Sequence, residues 1–311
     1  MSQLTHRRGF TLVELLIALV LLGLVSTAIY QVLNTNQRTY LAQTQRIDMQ
    51  QNIRAGASIL PGEFRTLDAA DGDIQQPMTT TSITIRAIRK LGFMCAPPTL
   101  GGGLGQNVFT MRVSPVYGNG TFAVNDSVLV YFEGDPTSRS DDTWIPGQVK
   151  NVAATTPGGC VDAGAPGAPH PGYVVTLNPP WPVGNAPTGL AFNTPNAITN
   201  GSPVYGFQTV TYALWQSPSD NRWYVGMTVA GQPTQPLIGP LTGSDGLTFN
   251  YYTAAGTVTA TPAQVAQIEI VLRAETVAQI RPGYTSAPAY QVDSVDTRVA
   301  LRNNPRCGPC S

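Results

Sequence analysis

The stretch Arg7-Arg8-Gly9-Phe10-Thr11-Leu12-Val13-Glu14 runs directly into Leu15-Leu16-Ile17-Ala18-Leu19-Val20-Leu21-Leu22-Gly23-Leu24-Val25. A short basic leader, residues 1–9, ends at Gly9, and from Phe10 to Tyr30 the sole charged side chain is Glu14. Those twenty-one residues, as a helix, rise about 31 Å, close to the hydrocarbon thickness of a bilayer. Arg7 and Arg8 predict a cytoplasmic N-terminus, with everything after Tyr30 on the far side of the inner membrane. A carboxylate inside such a segment costs about 2.5–3.5 kcal/mol on insertion scales, so Glu14 calls for a functional reason. A cleavable signal peptide cut near Ser26-Thr27-Ala28 has a shorter apolar core than this one. A plain membrane anchor explains the length but not Glu14.

Gly9-Phe10-Thr11-Leu12-Val13-Glu14 resembles the processing site of type IV pilins and type II secretion pseudopilins. The resemblance implies that a prepilin peptidase, also the methylase, cuts between Gly9 and Phe10 and methylates Phe10. It implies that Glu14 is the family's buried glutamate, and that the partners are other pilin or pseudopilin subunits along the N-terminal helix. The physical chemistry agrees. The new Phe10 amine of one subunit can meet Glu14 of its neighbour, and the pair is far cheaper to bury than either charge alone.

Residues 31–60 contain no Pro and one Gly, so residues 10–60 read as one helix roughly 75 Å long. Its first part, 10–30, is the membrane or filament-core segment. The continuation, 31–67, lays an apolar stripe on a globular domain, 68–311. Leu60-Pro61-Gly62 is expected to end or kink the helix, with a further helical turn open after the Pro. Beyond that the chain reads as strands and loops: 82–88, 108–113, 127–132, 173–177, 209–215, 223–229, 247–252, 267–272 and 295–301. Ser217-Pro218-Ser219-Asp220-Asn221 reads as a hairpin turn. The fold class is therefore α+β, a long helix on a mainly antiparallel β-rich domain. The order of the C-terminal strands is similar to that of the larger W-type minor pilins and J-type minor pseudopilins. Residues 97–203, with Pro-rich loops at 157–171 and 178–203, carry no resemblance.

Charged residues make up 12% of the 311, about half the usual share, and the formal net charge is zero. Loss of Arg7 and Arg8 leaves a slightly acidic chain, so nothing points to direct nucleic-acid binding. Four cysteines, Cys95, Cys160, Cys307 and Cys310, allow three pairings. Cys95–Cys160 and Cys307–Cys310 are favoured, the second on proximity. Cys307-Gly308-Pro309-Cys310 has the spacing of a thioredoxin-like pair, but one residue after it leaves no room for the helix that would lower a thiol pKa. Asp68, Asp71 and Asp73 around Gly72 read as a solvated helix end in preference to a Ca²⁺ loop, and Ser140-Asp141-Asp142 is weaker still. Gly101-Gly102-Gly103-Leu104-Gly105 lacks the Lys of a phosphate loop, and His170 stands alone in a Pro-rich stretch. No cofactor, metal site or enzyme motif is expected. The reading is a minor filament subunit, with a tip adhesin-like binding subunit and an extracytoplasmic thiol oxidoreductase using Cys307 and Cys310 as alternatives.

Overall fold

The computed structural model describes residues 11–101, 108–114, 117–118, 121–132, 142–154, 160, 172–178, 201–281 and 287–302. The chain opens with α1 (Leu12–Phe64), one unbroken helix. It continues past Pro61, so the expected break there does not occur, and the turn after the Pro is part of α1. Pro61 costs one hydrogen bond to the preceding turn, but its own carbonyl still accepts from Arg65 N–H at 3.0 Å, and the ring is buried against the head. Burial holds the last turn in place.

Thirteen strands follow among the described residues: β1 (Ile74–Met78), β2 (Ser82–Gly101), β3 (Val108–Val113), β4 (Tyr117–Gly118), β5 (Ser127–Phe132), β6 (Thr143–Ala154), β7 (Tyr173–Leu177), β8 (Pro203–Gln216), β9 (Trp223–Val229), β10 (Gln235–Leu241), β11 (Leu247–Tyr252), β12 (Gln267–Glu275) and β13 (Val292–Ala300). Every ladder among them is antiparallel. The architecture is α+β: one long helix packed on an antiparallel β head.

The head has two cores. In the first, α1 lies across β10, β12 and β13 and buries Met49, Ile53, Leu60 and Phe64. With Gly56, also buried, these positions recur every three to four residues, the period of one helix face. The Phe64 ring meets Tyr212 and Phe249 edge-on, with centroids 5.8 and 5.9 Å away. The second core belongs to a closed ring. β2 pairs β3, β3 pairs β7, β7 pairs β6, β6 pairs β5, β5 pairs β8, and β8 returns to β2. Each strand turns apolar side chains inward: Met94, Met111, Val130, Ile145, Val175 and Val204, among others, are 3% exposed or less. Closure leaves this barrel no free strand edge. It is joined to the helix-bearing half of the head through β2 and β8, which run through both.

Strand bounds expected from alternation hold for β3, β5, β7, β9 and β11, and the 217–221 turn does join β8 to β9. β2 runs thirteen residues beyond Ile88, because Arg89 and Lys90 each find an acid partner, Glu63 and Asp126. β8, β12 and β13 begin or end several residues outside the expected spans. β1, β6 and β10 were not expected, and each contains Pro: Pro77, Pro146, and Pro236 with Pro240. Pro146 lies where β6 is paired to β5 alone, and β1 and β10 shift register around their prolines.

Candidate assembly site

Thr11 begins the helix in an extended conformation (φ −80°, ψ 151°) and caps it. Its N–H donates to Glu14 Oε2 at 3.0 Å and its hydroxyl donates to the same oxygen at 3.1 Å. Glu14 N–H returns a bond to Thr11 Oγ1 at 3.3 Å. This is a capping box, in which two side chains satisfy donors that the first helical turn leaves open. The carboxylate also sits at the positive end of the helix dipole. The local sequence that makes the processing motif therefore also makes a sharp helix start. Gly9 and Phe10 lie outside the described residues.

Past Glu14 the helix is bare. Leu12, Leu16, Val20, Leu24 and Leu33 are 77, 55, 63, 64 and 55% exposed, and every described residue from Thr11 to Leu33 is exposed. Thr27 hides its hydroxyl by donating to Gly23 O at 2.8 Å, so the apolar cylinder keeps no open polar donor there. This helix is long and apolar enough to cross a membrane. None of the described head packs on that half, so its apolar surface requires lipid or another protein.

Within the head, the acidic turn after α1 has a tenant of its own. Asp68 Oδ1 accepts from the N–H groups of Ala70 and Asp71 at 2.9 and 3.2 Å, and Asp73 Oδ2 accepts from Asp68 N–H at 2.9 Å. Arg86 enters from β2. Its Nε donates to Gly72 O at 3.0 Å and lies 3.4 Å from Asp73 Oδ1, and its Nη2 donates to Asp71 O. Burial raises the Asp71 and Asp73 carboxyls above the usual range. The Arg86 guanidinium thus occupies the inside of this turn, on the Asp71 and Gly72 carbonyls and beside Asp73. Glu63 and Arg89 form a two-point ion pair at 2.9 and 2.8 Å, and burial beside Glu63 pushes the Tyr212 phenol up to about 12. That pair fastens the end of α1 to β2 where the barrel begins.

Cys95 and Cys160 are joined by a disulfide, with Cα atoms 5.1 Å apart, which ties β2 to the segment between β6 and β7. Cys307, Cys310, His170, Ser140 and Asp141 lie outside the described residues. Trp144 stacks on Tyr205 at 4.5 Å, with Tyr131 edge-on at 5.2 Å, on the outer wall of the barrel. The three rings pack on one another. Among the described residues no His, Cys, Asp and Glu group is arranged to hold a metal.

Residues 4–30 match the family described as the prokaryotic N-terminal methylation motif. The chain carries the type IV pilin and pseudopilin signature. The match covers residues 4–9 of the leader, the Gly9–Glu14 stretch and the apolar segment as far as Tyr30, and its described part, residues 11–30, forms the capped start and most of the bare cylinder. Among curated proteins and solved structures none matches the chain. The signature implies processing by a prepilin peptidase and assembly with other pilin subunits, and it points to a structural subunit rather than to an enzyme family. The cluster around Arg86 was missed from sequence: only Arg86 within an alternating strand hinted that its charge had a partner.

Proposed function

We propose that this chain is a minor pilin or pseudopilin, a structural subunit of a type IV pilus or type II secretion pseudopilus. The observation that carries the reading is a capped helix, bare and apolar from Leu12 to Leu33, starting at a methylation motif and ending under a large β head. On this reading the leader stays in the cytoplasm and the head lies in the periplasm or outside the cell. The peptidase cuts between Gly9 and Phe10, Phe10 is N-methylated, and the helix leaves the membrane by packing among neighbouring helices. Glu14 then gives up part of its cap to meet a neighbour's Phe10 amine. The head's size favours a minor subunit of the W or J type. Mass spectrometry of the mature N-terminus is the test. A methylated start at Phe10 is expected, and a start after Ala28 overturns the reading.

A tip adhesin-like role is favoured by one observation: α1 packs on β10, β12 and β13, and the closed barrel stands apart from it. Leu91 and Tyr205 face each other in the β2–β8 ladder, so a two-residue turn can replace residues 92–204. On the adhesin reading this variant enters filaments normally and no longer supports surface binding. Unchanged surface binding removes that role.

A further inference from the structure

Between the two cores the shared sheet changes character. Even-numbered residues of β8 lie on one face of it. Val204 is buried there in the barrel core, and Val210 and Tyr212 are buried there in the core under α1. Gln208, between them, is exposed, and Gly206 carries no side chain. So no apolar side chain of β8 bridges the cores.

On β2 the facing stretch is charged. The β2–β8 register shifts by one residue there: Ile88 pairs with Phe207, Lys90 pairs with Gly206, and Arg89 is the extra residue. Such a bulge bends a strand and re-aims the side chains at it. Arg89 reaches α1, where Nη1 and Nη2 donate to Glu63 Oε1 and Oε2 at 2.9 and 2.8 Å. Lys90 reaches the barrel, where Nζ donates to Thr121 O at 2.8 Å and to Asp126 Oδ2. Asp126 is itself held: Oδ2 accepts from Ala123 N–H at 2.7 Å, and its carbonyl accepts from Val149 N–H at 2.9 Å. Gly206 makes room for Lys90, since a Cβ there would lie 3.0 Å from both Lys90 Cβ and Phe122 Cε1.

Consecutive residues of one strand thus grip opposite halves of the head. The Lys90 grip lies within the barrel and moves with it. The Arg89 grip crosses the seam, and among the described residues it is the one ion pair between α1 and the head. Its side chains are 25 and 22% exposed, so water can reach both charges when the pair opens. Bending at the bulge leaves both cores packed, whereas bending within either core would break close packing.

We propose that Arg89, Lys90 and Gly206 form a hinge between the barrel and the helix-bearing half of the head, with the Glu63–Arg89 pair as the strut that holds it at one angle. With the strut closed, the barrel keeps a fixed direction relative to α1. With the strut open, the barrel swings about the bulge while both cores stay intact. The inference rests on the fold alone and holds whether or not the chain enters a filament.

The test measures distances by double electron–electron resonance in the full-length chain in detergent micelles. The spin labels are attached to unnatural amino acids, so that the native cysteines are left alone. One pair spans the seam, Ser58 on α1 with Arg112 on β3, and a control pair stays in the helix-bearing half, Ser58 with Asp296 on β13; all three positions are exposed. Glu63→Ala removes the strut and keeps a strong helix former. It should widen the Ser58–Arg112 distribution about twofold and leave the Ser58–Asp296 distribution unchanged. The swapped variant Glu63→Arg/Arg89→Glu restores opposite charges and should narrow the Ser58–Arg112 distribution again. An unchanged Ser58–Arg112 distribution in Glu63→Ala overturns the proposal. Widening of both pairs, which is loosening of the whole head, overturns it too, as does a swapped variant as wide as Glu63→Ala.

Discussion

Glu14 has two jobs that a single substitution confuses. In the isolated chain it completes a capping box with Thr11, an interaction of about 0.5–2 kcal/mol. In a filament it would neutralise a neighbour's Phe10 amine, and leaving that amine buried alone costs about 3–5 kcal/mol. The second effect is the larger, so assembly should follow charge and not capping. Glu14→Gln keeps a side chain that can accept from Thr11 N–H but loses the charge. We expect Glu14→Gln and Glu14→Ala both to be cleaved and methylated, and both to enter filaments at least ~100-fold less, as counted by immunoblot of sheared filaments. Wild-type entry of Glu14→Gln would show that the cap is the part that matters. In the head, Glu269 accepts from Tyr252 hydroxyl at 2.7 Å, Asn250 at 2.9 Å and Arg298 at 2.9 Å, and Arg298 stacks 4.1 Å from the Tyr252 ring centre. The Tyr252 bond first, then Asn250 and Arg298, hold the Glu269 carboxyl below its usual range. A depressed acid contributes stability that is present above its unfolded value, near 4.5, and fades as pH falls through the folded value. Glu269→Gln should therefore lower the urea midpoint at pH 7 and flatten its decline on acidification. An unchanged acid limb would mean that other carboxylates carry it.

At the scale of elements, the contact of α1 with the head turns on one glycine. A Cβ at Gly56 would lie 2.8 Å from both Ile238 Cδ1 and Leu272 Cδ1, so the helix approaches the sheet as closely as it does because that side chain is missing. Gly62, in the same helix, has nothing within 4 Å of its Cβ direction. Gly→Ala in a helix gains up to about 1 kcal/mol, whereas overpacking a core costs about 1–3 kcal/mol. Gly62→Ala should thus raise the unfolding midpoint and Gly56→Ala should lower it, and two shifts of the same sign would refute the packing account. Elements were legible where a local period was intact. β3, β5, β7, β9 and β11 alternate cleanly, and the motif at the start of α1 names its own capping residues. They were illegible where a local rule was broken and repaired at a distance. Pro61 reads as a stop until the head covers it, and Pro146 and Pro236 read as loops until the sheet offers them unpaired edges or bulges. Arg89 and Lys90 read as the end of β2 until Glu63 and Asp126 arrive from elsewhere.

At the scale of the molecule, nothing local announced the barrel, because the contact that closes it pairs residues more than a hundred positions apart, Leu91 with Tyr205. Two cores that share only β2 and β8 invite two unfolding units, and the disulfide lies wholly in one of them. Cys95 and Cys160 are 65 positions apart, both buried at the barrel end of the head. Closing a loop of that length restricts the unfolded chain by about 4 kcal/mol in the chain-entropy account. The restriction applies to the segment between the cysteines, which holds β3, β4, β5 and β6, and not to β12 and β13. A Cys95→Ser/Cys160→Ser variant should therefore lose hydrogen-exchange protection in β3, β5 and β6, and in β7, which pairs with β3 and β6, by up to about 4 kcal/mol, while β12 and β13 keep theirs. Helix α1 packs on the retained strands, so the variant should still enter filaments with a loosened barrel. Equal loss of protection in both sets of strands would mean that β2 and β8 couple the cores into one cooperative unit, and the barrel would then be part of the assembly platform and not a lobe carried on it.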